Sequence, residues 1–369
     1  MKRVLTSMHE QQSRTLTYVE AIREALEQSM AHDERVIVIG EGVPDPKAIF
    51  TSTQGLREKF GQQRVFDMPL AENGLTGACI GAAIAGMRPV LIHQRVDFAL
   101  LSMDQLVNNA AKWHYMFNGK ASVPLVVRMI VGRGWGQGPQ HSQSLQAMFA
   151  QIPGLRVVMP TTAHDAKGMM IAAIEDNGPV IFLEHRWLHH VSDEVPQYRY
   201  RVDLDKAKSI HQGDDVTIAA FSYMSFESLI AARALASVAG VKAEVIDMRS
   251  VRPLDVDAVL ASVRRTGHLI VADTAYKTGS IAGELVAAVT EQAFVSLKRA
   301  PVRICSPDYP TPTAASMTEH YYPTPLMIVE AALKMLDRPA DNSTTDRLVE
   351  ATRRNGPHDV PNRDFSGPF

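Results

Sequence analysis

A chain of 369 residues is long enough to bury a sizeable core in each of two compact domains. Its 38 basic and 40 acidic residues leave a formal net charge of -2, which argues against nucleic acid or an anionic membrane surface as a partner. Two cysteines, Cys79 and Cys305, are too few for a disulfide framework or a cysteine zinc site, and no apolar run approaches a membrane span, so a cytoplasmic protein without a membrane segment is expected.

The first residues are basic but lack the apolar core of a secretory signal. Val19, Ile22, Leu26 and Met30 then recur at helical spacing, with Thr17 placed to cap the helix. VIVIG at 36–40 reads as a buried strand, 42–52 as a polar loop and 53–60 as a short helix. The next stretch, 65–86, organises the chain. A strand-like start turns at Pro69, presents Glu72, and enters a helix of small residues (Gly74, Gly77, Ala78, Gly81, Ala82, Ala83, Ala85) that lets another backbone or a flat ligand approach closely. A lone carboxylate there is either solvated or part of a site, and local pattern leaves both open.

MRPVLIH at 87–93 is a further strand, followed by QRVDF and a long helix at about 100–116. VPLVVRMIV has the unbroken apolar character of a strand covered on both faces. A glycine-rich loop, GRGWGQGPQHSQS, comes next, then the strand LRVVMP, a helix at 163–176 and the strand PVIFLE. Residues 191–214 are polar and weakly periodic and read as a linker between domain 1–190 and domain 215–338. In the second domain the alternation restarts with VTIAAF, AEVIDMRS, HLIVAD and PVRICSPD. Residues 339–369, rich in Pro, Asn, Asp and Arg, read as a tail ordered only by contacts. Strands alternating with helices give the fold class: α/β, a parallel-sheet domain followed by a smaller α/β domain.

Glu72, the segment 94–98 and His141 all lie where strands end, and loops after parallel strands converge on one edge. An acid, an aromatic and a histidine suit proton transfer on a flat heteroaromatic ligand. The glycines at 132, 134, 136 and 138 suit a loop that orders around His141 better than a phosphate cradle, because no Lys and helix cap follow. His185, His189 and His190 lack a carboxylate to complete a metal set and read as surface or linker residues.

The segments FDMPLAENG, HQRVDFALLSMDQLVNNAAKWHYM, PQHSQS, PGLRVVMPTTAHDAKGMM, VIDMRSVRPLD and PDYPTPTAASMTEHYYP, in this order, resemble the β chain of the 2-oxo acid dehydrogenase first component, which is related to transketolase. The resemblance runs from about Leu16 to Leu336. It implies a pyrimidine-binding domain, a transketolase C-terminal-like domain, and dependence on thiamine diphosphate. By the resemblance, Glu72 hydrogen-bonds the aminopyrimidine, Phe98 stacks on it, Gln94 lies near it, and His141 is the active-site histidine. Arg95 departs from the family; a substrate anion and an ion pair with Asp97 are both open.

GDD at 213–215 is not the GDG…N element that binds magnesium and diphosphate. In the resembling family an α subunit supplies that element, in a tetramer of two α and two β chains. Family members also bind a structural potassium, at positions matching Leu125, Ala173, Ile174, Asp176 and Gly178. The implied reaction is decarboxylation of a 2-oxo acid and acyl transfer to the lipoyl group of a partner acyltransferase. The alternatives are a β-like subunit of a two-chain thiamine-dependent carboligase or transketolase, or a non-catalytic scaffold; Glu72, Phe98 and His141 together speak against the last.

Overall fold

The computed structural model describes residues 13–133 and 136–353. Its elements in chain order begin with β1 (Ser13–Thr17), α1 (Tyr18–His32), β2 (Val36–Gly40), α2 (Leu56–Phe60), β3 (Val65–Phe66), α3 (Glu72–Ile84), β4 (Arg88–His93) and α4 (Val96–Ala99). They continue with α5 (Ala111–Met116), β5 (Val126–Val131), α6 (Gln146–Ala150), β6 (Arg156–Val158), α7 (Ala163–Glu175), β7 (Val180–His185) and β8 (Ser192–Pro196). Among the described residues two compact units result: 13–130 with 152–204, and 131–151 with 205–353.

In the first unit the strands run β6-β7-β5-β4-β2-β3, and the registers given for β2 with β3 and β4, for β4 with β5 and for β6 with β7 are parallel. β2, β4, β5 and β7 are buried nearly end to end, as their unbroken apolar runs require. Thr17 caps α1 through a full capping box with Glu20, in agreement with its predicted role. The helix expected at 100–116 is instead a 3-10 turn (Leu100–Ser102), a π turn (Gln105–Ala110) and α5. Gln105 sits against α3 here: a Cβ added at Gly77 would lie 3.2 Å from Gln105 Oε1, so it is a side chain that uses this close approach. Gly74 and Gly81 meet nothing within 4 Å, so the rest of that face is open.

The loop before α2 departs most from expectation. Ala48, Ile49, Phe50 and Thr51 all have positive φ, a left-handed turn closed by Thr51 N donating to Lys47 O at 2.7 Å. None of these residue types favours that region, so the surroundings must hold the turn in place. The stretch read as a linker is also fastened: β8 pairs antiparallel with β1, and buried Lys167 of α7 donates to Pro196 O at 2.6 Å and Tyr198 O at 3.0 Å.

The second unit adds β9 (Lys208–His211), β10 (Val216–Ala220), α8 (Tyr223–Ala234), β11 (Ala243–Asp247), β12 (Ser250–Arg252), α9 (Val256–Thr266) and β13 (Leu269–Tyr276). It ends with α10 (Ile281–Ala293), β14 (Val302–Ser306), α11 (Ala315–Thr318), α12 (Pro325–Met335) and α13 (Asn342–Thr352). Its sheet runs β14-β13-β10-β11-β9, with only β9 antiparallel. The predicted tail thus contains a helix, α13, capped by Asp341 and seated on the core of this unit through Leu348; residues 354–369 of that tail lie outside the described residues. Among the described residues no helix is long and apolar enough to cross a membrane.

Candidate functional site

The sheet edge of the first unit gathers acids. Glu72 opens α3, is almost buried, and is tied to its helix by Thr76, whose hydroxyl donates to Glu72 O at 2.7 Å and to Ser102 Oγ at 2.9 Å. Glu41, the residue after β2, faces it. Burial, then the charge of Glu72 and a hydrogen bond with it, push the Glu41 carboxyl above the usual range. A second carboxylate at this distance makes ionisation of Glu41 costlier. His93, at the end of β4, completes the group: burial lowers it to about 4 against the pull of Glu72, so it is neutral at physiological pH. Glu41 Oε1 and His93 Nε2 are buried without a hydrogen-bond partner, which leaves unused capacity in the pocket for a polar ligand.

Gln94 joins this group by donating from Nε2 to Glu41 O at 3.2 Å. Arg95 follows, buried, as the residue that leads into α4, and Phe98 lies half-buried within that helix. Glu41 and His93 were missed by sequence reasoning. The only signal available was an acid at the end of a buried strand, the same argument that singled out Glu72.

A second buried network lies in the same unit. Arg128 of β5 grips Glu184 of β7 at 2.6 and 3.0 Å and donates to Ser52 Oγ at 3.0 Å. His189 Nε2 lies 3.4 Å from Glu184, and its ring stacks on Tyr18 and meets Phe50 edge-on. Burial alone would raise Glu184; the Arg128 charge and the hydrogen bonds from His189 and Arg128 together outweigh it and hold the carboxyl well below the usual range. Ser52 and Phe50 tie this network to the left-handed turn, which accounts for the turn's persistence. The histidine reading is corrected here: His185 and His189 are buried rather than on the surface. No group of three or more potential metal ligands occurs among the described residues.

Two of the five positions expected around potassium already offer their carbonyls to a cation. Arg88 Nη1 donates to Ile174 O and Asp176 O, both at 2.9 Å. Leu125 O accepts from Val180 N at 2.9 Å, Ala173 O from Asp176 N at 3.3 Å, and Gly178 N donates to Asp176 Oδ1 at 2.7 Å.

His141 belongs to the segment that groups with the second unit. That loop is anchored at several points. Gly132 N donates to Gln143 O at 2.9 Å, Arg133 lies 4.2 Å over the Tyr322 ring, and Gln146 Nε2 donates to Asp273 Oδ1 at 2.6 Å. Gly138, at φ 66°, has no room for a side chain beside Thr313. His141 itself is half-buried between buried Ser142 and the turn at Gly138. Burial pushes both thiols, Cys79 and Cys305, up to about 12, so neither is a ready nucleophile.

Residues 14–190 match the family described as transketolase, pyrimidine binding domain, and residues 205–328 match transketolase, C-terminal domain. The chain is 41% identical over 334 residues to the β subunit of acetoin:2,6-dichlorophenolindophenol oxidoreductase of Cupriavidus necator, covering 88% of this chain and 98% of that one. It is 39% identical to the pyruvate dehydrogenase E1 component subunit β of Bacillus subtilis (87% and 99% covered) and 38% identical to the 2-oxoisovalerate dehydrogenase subunit β of the same organism (87% and 98%). A solved structure titled split gene transketolase, inactive β4 tetramer, shares the fold at a TM-score of 0.71 and 22% identity, over 88% of this chain and 99% of that one. The chain therefore belongs to the β subunits of the 2-oxo acid dehydrogenase first component, an oxidoreductase family built on the transketolase pyrimidine-binding and C-terminal domains.

Proposed function

We propose that this chain is the pyrimidine-binding half of a thiamine diphosphate enzyme that decarboxylates a 2-oxo acid and passes the acyl group to a lipoyl acyltransferase. The observation that carries the reading is the pairing of Glu72 with Glu41 beside neutral His93, at the end of a parallel sheet, with acceptor and donor capacity left over. Such a pocket fits an aminopyrimidine, which offers a ring nitrogen and an amino group in one plane. When bound, thiamine diphosphate supplies the carbon nucleophile and the electron sink for decarboxylation. Glu41, whose carboxyl is pushed above the usual range, lies beside Glu72, which would share a proton with the ring nitrogen. Phe98 gives a stacking surface, Gln94 fixes the wall beside it, and His141 acts on the acyl group as it leaves.

Magnesium and the diphosphate belong to an α subunit, since GDG…N is missing from this sequence, and the assembly is two α with two β. A potassium ion at Leu125, Ala173, Ile174, Asp176 and Gly178 would share two carbonyls with Arg88, each of which has a second lone pair to offer. Two free cysteines suit a cytoplasmic setting. The test is a titration of thiamine diphosphate and magnesium into the chain alone and into its complex with the α subunit. The complex is expected to bind with a Kd at least about a hundredfold lower; micromolar binding by the chain alone would overturn the division of labour.

A further inference from the structure

The sheet of the first unit has a second edge, and arginines gather there. β2 begins at Val36 and β4 at Arg88, so residues beside these starts lie at the end of the sheet opposite Glu41 and His93. The last turns of α1 and α7 reach the same place and enclose a cavity of about 250 Å³ with it. Arg35, Arg88, Arg199 and Arg201 line this cavity, and Asp33 and Glu175 are the lining acids among the described residues.

Each acid serves two arginines. Asp33 accepts from Arg35 Nε at 3.0 Å and from Arg35 Nη2 at 2.7 Å, and it lies 3.9 Å from Arg88 Nε. Glu175 meets Arg199 on one oxygen and Arg201 on the other. Positive charge is therefore in excess even before His32, a further lining residue, is counted. Helix ends account for part of the set, since the negative end of a helix favours a cation. Arg88 donates to Ile174 O and Asp176 O at the end of α7, and to Asn177 Oδ1 at 2.8 Å. Arg199 is different: its Nε is buried without a hydrogen-bond partner among the described residues. Burial, then the charge of Arg201, lowers Arg199; burial, then the charge of Arg35, lowers Arg88.

The cavity is reachable. The Arg35 and Arg201 side chains are 57% and 67% exposed, while those of Arg88 and Arg199, at 15% and 26%, lie deeper. Its volume is below the about 300–1,000 Å³ of pockets that enclose a drug-sized ligand, so it suits one compact group. The guanidinium forks come from the residue before β2, from the start of β4 and from the 199–201 segment. A tetrahedral oxyanion offers oxygens toward all of them, whereas a carboxylate offers two in one plane.

We propose that this cavity binds a phosphate group, with Arg199 and Arg201 as its main donors and Arg35 and Arg88 beside them. Inorganic phosphate and a phosphate monoester present the same dianionic group. Bound there, it fastens the 199–201 segment to the ends of α1 and α7 and stabilises the folded chain by mass action. This site does not depend on the thiamine reading.

The experiment uses the full chain, alone and in its complex with the α subunit loaded with thiamine diphosphate and magnesium, so that the diphosphate site is already filled. Calorimetry at constant ionic strength measures inorganic phosphate and adenosine monophosphate against the native protein, Arg199→Gln and Glu175→Gln. The native chain is expected to bind phosphate with a Kd below about 1 mM and to melt at a higher temperature in its presence. Arg199→Gln should weaken phosphate about tenfold or more. Glu175→Gln removes the acid that competes for Arg199 and Arg201, so it should tighten phosphate about threefold or more. Shifts in opposite directions cannot come from misfolding. Adenosine monophosphate that binds with the same two shifts identifies a monoester site; phosphate that binds alone identifies a site for the free ion, and either result supports the proposal. Native binding weaker than about 1 mM, or binding that the two substitutions leave unmoved or move in the same direction, would overturn it and leave the four arginines as ion-pair and helix-end residues.

Discussion

The two units carry the same kind of sheet edge and use it differently. In the first, Glu41 meets another carboxylate, Glu72, and buried polar atoms remain without partners. In the second, Asp273 is fully buried and faces donors, Gln146 Nε2 at 2.6 Å and Ala275 N at 3.2 Å, although its Oδ2 also lacks a hydrogen-bond partner, so the contrast lies in what faces the acid. In the same sheet Asp247 accepts from Ser225 Oγ at 2.9 Å, and Glu244 accepts from Ser209 and Ser262. Burial of an acid therefore says little about chemistry. What distinguishes a reacting edge is an acid set against another acid, and what distinguishes a structural one is an acid set against fixed donors.

The sharpest way to break this contrast is Glu72→Gln. The change is nearly isosteric, so the fold should hold within about 1 kcal/mol, while turnover of the assembled enzyme falls by about two orders of magnitude or more. Proton–deuterium exchange at the thiazolium carbon of the bound cofactor should slow by a comparable factor. Unchanged exchange at full cofactor occupancy would return Glu72 to packing.

Asp273→Asn should behave in the opposite manner. Burial raises Asp273 to about 6, against backbone and Gln146 hydrogen bonds that lower it. Folded protein thus binds this proton more tightly than unfolded chain. The stability it contributes is complete below the ordinary carboxylate value of 3.8 and is lost as pH rises through about 6. The asparagine variant lacks that loss, so at pH 7.5 it should be about 1–3 kcal/mol more stable than the native chain, with little change in turnover. Urea unfolding followed between pH 4 and 7.5 checks the sign; a variant less stable at both ends would show that Asp273 needs its charge.

The smallest effect is expected at Glu41→Gln. Removing the Glu41 carboxyl takes a hydrogen-bond partner away from Glu72, so turnover should fall by about tenfold. Unchanged turnover at full cofactor occupancy would mean that Glu41 does not assist Glu72.

Much of this architecture was readable beforehand, because buried parallel strands advertise themselves as unbroken apolar runs and Thr17 with Glu20 spells a capping box. Glu72 was readable too, from its place between a strand and a helix of small residues. Its neighbours were not. Glu41 looks like the first polar residue of a loop, and only the fold brings it against a carboxylate far along the chain. The left-handed turn at 48–51 defeats local reading because Ala, Ile, Phe and Thr carry no tendency toward it; buried Arg128, acting through Ser52, imposes it from outside. α13 was hidden by polar composition, since little more than Leu348 and Thr352 is buried.

The membership of 131–151 has a bearing on how such a chain can be divided. A gene broken in the polar stretch around 191–204 would look clean by family boundaries, 14–190 and 205–328, yet would separate the second unit from a segment that it owns. A fragment starting at 205 would lack Gln146 for Asp273 and the Ala150 carbonyl that accepts from Arg252 at 2.7 Å. The complementary piece would carry His141 on a loop stripped of its anchors. Modularity in this fold therefore follows contacts rather than sequence order, and a working two-piece version would have to be cut so that the histidine loop travels with the later half.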